Sequence, residues 1–408
     1  MRRAIAFLFS TSLFAGTVDA QEWTRFRGPN GSGVSAATTV PTSWSADDYN
    51  WSVRLPGVGH GSPVVWGERL FVLCEEDDGA ERIVLCVDTK TGRELWLRSF
   101  SSESHKKHKR NSFASSTPAV DAHHVYATWG TPERATLVAL THEGQAVWEA
   151  DLGGYRSGHG FGSSPIVYED LAVLGLDQDG GGSLVALDRM SGEVRWRVPR
   201  RGKRATYSTP CVYRRTGRGD ELIFTNWQHG ITAVDPQSGR TSWELSVFDT
   251  TTNERAIGSP IVAGELVIGT CGFVNNPKHA VAVRPEEDAV REVYRIERMV
   301  PHIPTPLAYE GRLYLWDDKG ILSAYELESG RKLWQARIGG NYFGSPVCVN
   351  GVLYAMNDAG EVVVVATGAE FRELARIPLG ESTHATPAVA NGTMFLRTNS
   401  QLFSVGGE

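Results

Sequence analysis

Eight times along the 408-residue chain a Ser-Pro or Thr-Pro pair opens an apolar run, at Pro63, Pro118, Pro165, Pro210, Pro260, Pro306, Pro346 and Pro387. Successive prolines stand 55, 47, 45, 50, 46, 40 and 41 residues apart. A repeat of that period, filled with short β-rich runs, cannot bury its apolar face alone, and stacking such units gives a propeller or a related β-array. Repeat arrays also escape the size limit of a single core, because each unit packs only on its neighbours. Residues 21–408 are therefore expected to form one domain.

The fullest repeats show what each part does. One begins Gly162-Ser163-Ser164-Pro165, runs through Leu171 to Leu176, loops at Asp177-Gln-Asp-Gly-Gly-Gly182, and continues from Ser183 to Asp188 before Val194-Arg195-Trp196. That is four short strands separated by turn residues, one propeller blade. The repeat closes as Ala-x-Asp-x-x-Ser-Gly-x-x-x-Trp at Ala186 to Trp196 and again at Ala233 to Trp243, with variants at Cys86 to Trp96, Ala324 to Trp334 and Ala139 to Trp148. The glycine takes the positive φ of a tight hairpin turn, and the Asp or Glu hydrogen-bonds the turn's own backbone. Trp51, Trp96, Trp148, Trp196, Trp243 and Trp334 are read as structural residues whose flat rings cover the seam to the adjacent blade.

This pattern resembles the tryptophan-docking repeat of the pyrroloquinoline-quinone-type (PQQ-like) propellers, found in quinoprotein alcohol dehydrogenases and in the outer-membrane assembly factor BamB. The resemblance covers the chain from Trp23 onward, and the opening Trp23-Thr-Arg-Phe-Arg-Gly-Pro-Asn-Gly-Ser-Gly33 also looks like the start of exported bacterial PQQ-like repeat proteins. Blade five ends in Tyr294 without the Asp-x-x-Thr-Gly turn, blade seven lacks the tryptophan, and blade eight stops before its last strand. The missing strand is expected from Asn50-Trp51-Ser-Val-Arg54, which would close the ring and remove its open edges. The expected fold is all-β, an eight-bladed propeller of four-stranded antiparallel blades with the last blade built from both ends of the chain. Seven blades is the alternative.

In a propeller the segment entering each blade and the loop between its second and third strands crowd one face. The residues ahead of each Ser/Thr-Pro are therefore expected to rim the central funnel: His60, Asn111 with Phe113, His159 with Phe161, Tyr207, Arg255, His302, Tyr342 with Phe343, and His384. The second loops add Trp129, Asp177 to Asp179, Trp227 to His229, Asn275 to His279, Asp317-Asp318, Asn357-Asp358 and Asn399. A concave, polar and aromatic funnel is the default place for a ligand. The histidines sit on blades one, three, six and eight with no Asp or Glu at a matching spacing, so no metal site is expected. Asp177 and Asp179 resemble the start of a calcium loop but lack its later oxygen ligands. The basic run His105-Lys-Lys-His-Lys-Arg110 is read as a solvated loop rather than a site for an anionic polymer.

The resemblance implies two kinds of function. A quinone-dependent dehydrogenase would need calcium on acidic and amide oxygens, a base beside the quinone, and a disulfide between adjacent cysteines. The five cysteines, Cys74, Cys86, Cys211, Cys271 and Cys348, include no adjacent pair. No phosphate loop, nucleophile elbow or paired catalytic carboxylates stand out. The expected function is thus a non-catalytic propeller that binds a protein partner or ligand through its funnel face, without a cofactor. A PQQ- and calcium-dependent alcohol dehydrogenase-like oxidoreductase is the alternative.

Residues 1–20 read as a cleavable secretory signal, with Arg2 and Arg3, an apolar stretch from Ala4 to Gly16, and Val18-Asp19-Ala20 before the cut. That stretch is too short for a membrane anchor, and no cysteine nearby offers a lipid attachment site. A periplasmic or secreted monomer is expected. The net charge of −6 argues against nucleic acid as a partner. Cys74 and Cys86 flank one predicted hairpin, where a disulfide or two buried thiols are both open readings.

Overall fold

The computed structural model describes residues 22–407 apart from 77–78, 216, 252–253, 274–276 and 288. The signal segment 1–20 and Asn275 lie outside the described residues. Eight antiparallel sheets follow one another around a ring. Blade one is Val64–Trp66, Arg69–Glu75, Glu81–Asp88 and Glu94–Ser101, and blade three is Ile166–Tyr168, Leu171–Gly175, Gly182–Asp188 and Val194–Arg200. Blade eight is closed as expected. Tyr49–Arg54 pairs antiparallel with Gln401–Gly406, so the ring is joined by strands from both ends of the chain. Helix is confined to two short 3₁₀ turns among the described residues, and no helix there is long and apolar enough to cross a membrane.

The closing motif has a clear geometry. Each tryptophan faces a small residue across the third and fourth strands: Ala186 opposite Trp196, Ala233 opposite Trp243, Ala324 opposite Trp334, Cys86 opposite Trp96. A register shift follows at once in each case, and such a bulge bends the strand and re-aims its side chains. The indole then reaches the next blade. Its Nε1 donates to a turn carbonyl there: Trp51 to Thr89, Trp96 to His142, Trp148 to Arg189, Trp196 to Pro236 and Trp334 to Gly368, at 2.7–3.0 Å. The same turn's glycine lies under the ring. A Cβ on Gly192, at φ 76°, would come within 2.6 Å of Trp148. The motif thus spans a seam: glycine from one blade, tryptophan from the blade before it.

Blade five explains its own irregularity. In its outer hairpin Glu286 N donates to Ala289 O at 2.7 Å. Trp243 donates instead to the Glu221 carboxylate at 2.9 Å. Tyr294 takes the tryptophan's place over Gly330 of blade six.

All five cysteines are free and buried. Cys74 pairs with Ile83 while Cys86 pairs with Phe71, an odd separation along one strand, so the two thiols face opposite sides of the blade and the disulfide reading falls.

Residues 22–35 cross the base of the ring. Trp23 bridges to Val65 of blade one, and Val34–Ser35 adds a parallel fifth strand to blade seven. Asn30 exchanges two hydrogen bonds with Val212 of blade four, at 2.8 and 2.7 Å. The Arg27 guanidinium, fully buried, donates to Pro306 O at 2.9 Å and Pro346 O at 3.3 Å, joining blades six and seven.

Candidate functional site

Proline restricts the residue before it to extended backbone, so the segment entering each blade alternates its side chains with period two. The residues one and three places before each proline accordingly point into the central channel in every blade. The first tier is Ser62, Thr117, Ser164, Thr209, Ser259, Thr305, Ser345 and Thr386. Among the described residues, seven of their eight amides donate to the hydroxyl of the neighbouring blade's counterpart, at 2.9–3.1 Å, ending with Thr386 N to Ser62 Oγ. The Ser/Thr-Pro repeat is therefore a hydroxyl belt that ties the ring from inside.

The second tier is His60, Ser115, Gly162, Tyr207, Ile257, Ile303, Phe343 and His384. Above the belt these residues enclose a chamber of about 320 Å³, completed by His108, Arg110, Asn111, His159, Arg255, Phe273 and His302, with Phe26 from the N-terminal segment. Among the described residues no carboxylate lines it.

Of the residues expected on the rim, the structure brings together His60, Asn111, His159, Tyr207, Arg255, His302, Phe343 and His384. Phe161 and Tyr342, four places before their prolines, turn into the walls, and Phe113 does so as well despite its odd spacing of five. Phe113 lies beneath Arg82 and Lys107, Phe161 meets Tyr155 edge-on at 4.8 Å, and Tyr342 packs on Trp316 at 5.1 Å. Asp177 sits 3.5 Å from Arg200, and the Asp179 carboxylate caps the Gly158 and Ala205 amides. His229 is held by Glu244 at 3.0 Å, off the chamber.

Two contacts involve the histidines. Blades one and eight are neighbours across the closure, so His60 and His384, on separate blades at opposite ends of the chain, lie with ring centroids 4.3 Å apart. The basic run is not a bystander either. Lys107 donates to Asn111 O, Asn111 donates to His159 O at 2.6 Å, and the loop so tethered stacks His108 on His159 at 4.7 Å and sets Arg110 over Phe343 at 5.0 Å. His108 and Arg110 could not be placed in the chamber from spacing, because they precede the entry segment. Phe343, expected on the rim, lines the chamber at the position the period-two rule points inward.

Burial dominates the electrostatics. It pushes His60 down to about 3, with the His384 and Arg397 charges adding to the effect. Burial and Arg255 take His159 down to about 4. His108, His302 and His384 are lowered as well, again first by burial. The chamber therefore presents neutral imidazoles at pH 7, with the arginines as its charged groups.

A stability prediction follows. An unfolded histidine titrates near 6.5, while buried His60 stays neutral to about 3. Between those values the unfolded chain binds the extra proton, so stability falls as pH falls. At pH 5 the loss from His60 is about 2 kcal/mol. Thermal denaturation at pH 7 and pH 5, for wild type beside His60→Asn, should show a shallower pH slope in the variant; equal slopes would contradict the assignment.

A calcium-bound quinone does not fit this lining. Calcium wants several carboxylate or carbonyl oxygens, and the chamber offers hydroxyls, the Asn111 amide and nitrogen bases. Among the described residues no group of three or more His, Cys, Asp or Glu gathers as a metal would require.

Comparison with known proteins places this geometry. The family model described as outer membrane protein assembly factor BamB matches residues 44–210, 80–289 and 318–405. Outer membrane protein assembly factor BamB of Yersinia pestis is 22% identical over 296 residues, 71% of this chain, and the match spans 61% of that relative's length. Among solved structures, BamB from Moraxella catarrhalis superposes with a TM-score of 0.62 at 14% identity, over 92% of this chain and 98% of its own. A europium-containing methanol dehydrogenase gives 0.69 at 12% identity, over 93% and 90%. The quinohemoprotein alcohol dehydrogenase of Comamonas testosteroni gives 0.65 at 12% identity, over 95% and 81%. At these identities the structural likeness speaks for the fold alone, while the family match covers most of the chain. The chain belongs to the family of outer membrane protein assembly factor BamB, a PQQ-like β-propeller.

Proposed function

We propose that the chain is an exported, non-catalytic propeller that holds a protein partner on its funnel face. The observation that carries this reading is the funnel mouth. In a chain of net charge −6, the tethered run from His105 to Arg110 sets exposed cations beside the aromatic ring of Phe343. A cationic, aromatic rim suits an acidic partner surface, since arginine and aromatic anchors dominate interface energetics and opposite charge steers encounter. The assembly-factor relatives agree with a scaffold role. The carboxylate-free lining favours it over a calcium-dependent oxidoreductase.

The test is capture from a cell-envelope extract at low salt by wild type and by a Lys109→Glu, Arg110→Glu variant. Both side chains are exposed, so the fold should be unaffected. The same partner band should be retained by wild type and reduced about tenfold or more by charge reversal. Equal capture would mean that this face is not used. Titration with pyrroloquinoline quinone and calcium decides the rival reading, because a stoichiometric bound chromophore would replace the scaffold assignment.

A further inference from the structure

The chamber beneath the rim holds a charged group without a counter-ion. Arg255 is 1% exposed, lines the chamber, and has Nε and Nη2 without a hydrogen-bond partner. Its Nη1 makes two long contacts, 3.3 Å to the Tyr207 hydroxyl and 3.4 Å to Ala205 O, both to neutral acceptors. No carboxylate lies within ion-pair distance of it among the described residues. A buried guanidinium left so incompletely satisfied costs several kcal/mol.

Of the other buried arginines, Arg82 and Arg200 also keep Nε and Nη2 without a hydrogen-bond partner but do not line the chamber, and two more are resolved differently. Arg27 and Arg397 fan onto backbone carbonyls of adjoining blades, Arg397 at 2.6 Å to Gly61 O and 2.8 Å to Leu73 O. Neither lines the chamber. Three more unpartnered nitrogens surround the same space as Arg255: Nδ1 of His159, His302 and His384. An under-satisfied guanidinium beside the His159 and His302 ring nitrogens, which can donate in the matching tautomer, around a chamber of about 320 Å³ with no carboxylate among its described lining, describes a receptor for a negative charge.

We infer that the chamber binds a small carboxylate- or phosphate-bearing anion, with Arg255 as its charge partner and His159 and His302 as flanking ring donors. The inference goes beyond partner capture and does not require it. An anion here would receive the unused guanidinium N–H groups, while Ile257, Ile303, Phe273 and Phe343 would cover whatever apolar body it carries. Small size follows from the enclosure: the belt and Phe26 line the space below, and the His108–Arg110 loop crowds the entrance.

The experiment uses the purified full chain alone, so its outcome is separate from the partner-capture result. Inorganic phosphate and succinate are titrated calorimetrically in parallel arms, which distinguish the two anion chemistries. Saturable one-to-one binding in either arm is expected, weakened about tenfold or more in Arg255→Gln. No saturable binding of either probe below about 10 mM, or equal affinity in the variant, overturns the proposal. Should Arg255→Gln fail to fold, the imidazole NMR signals of His159 and His302 in the wild type decide. Saturable shifts on adding either anion support the site, and unmoved signals overturn it.

Discussion

Replacing Arg27 with alanine should lower the unfolding free energy by about 3 kcal/mol and release the segment that crosses the base of the ring. The guanidinium is fully buried and donates to main-chain oxygens of Gly31, Ser32, Pro306 and Pro346. It therefore holds its own loop in shape while joining that loop to blades six and seven. Its burial is itself unfavourable, and desolvation takes its pKa down to about 9. That penalty disappears in the variant and offsets part of the loss, so the effect is smaller than four charged hydrogen bonds would suggest. Arg27→Lys should recover less than half, because one ammonium cannot span two blades as a planar fork does. Hydrogen exchange supplies the specific readout. The Cys348 and Asn350 amides donate to Gly33 O at 2.7 Å and Ser35 O at 3.0 Å. Both should lose protection in Arg27→Ala, while the belt amides at Thr305 and Ser345 should not. Unchanged exchange at Cys348 would show that the segment is held by other contacts.

The second large effect concerns the closing seam. Trp51 lies on the strand that completes blade eight, 8% exposed, with its indole over Gly92 of blade one, Nε1 on Thr89 O at 2.9 Å and its ring 6.0 Å from Phe395. Trp51→Ala removes a ring whose loss at a buried site costs about 3–5 kcal/mol. Trp196→Ala removes an equivalent ring between blades three and four, whose own strands are joined by continuous hairpins, and should cost a similar amount. The difference lies in what opens. In Trp51→Ala the strand Tyr49–Arg54 should detach, exposing the unpaired edge of Gln401–Gly406 and promoting association through it. Exchange in residues 401–406 should therefore rise in Trp51→Ala and stay low in Trp196→Ala. Similar exchange in both would mean that the closure resists loss of its anchor.

Much of this architecture could be read from the chain because the repeat sets hard local constraints. Proline fixes an extended entry, glycine fixes the hairpin turn, and the small residue nine or ten places before most of the tryptophans leaves room for the ring. The chamber was only half legible. His60, Tyr207 and His384 were found because they stand three places before a proline, where the alternation points inward. Tyr342 and Phe343 were expected on the rim together, and the alternation turns only Phe343 inward. His108 and Arg110 were missed because their place depends on a tether, Asn111 to His159, that joins loops of two blades. The role of Trp23 to Ser35 was invisible for the same reason, since its partners lie on blades one, two, four, six and seven.

The arrangement of the N-terminal segment also sets an order of events during synthesis. Asn50 finds its partner Ser404 across 354 residues, and Arg27 finds Pro346 across 319. At ordinary elongation rates that is a wait of roughly 20–70 s between the emergence of the first strand and of the strand that receives it. The residues made first are thus among the last to be fixed, and each ribosome carries an unfinished circle for most of the time it spends on the message. Contacts this distant make folding slow, and the completed disc can appear only after the last strand has left the tunnel.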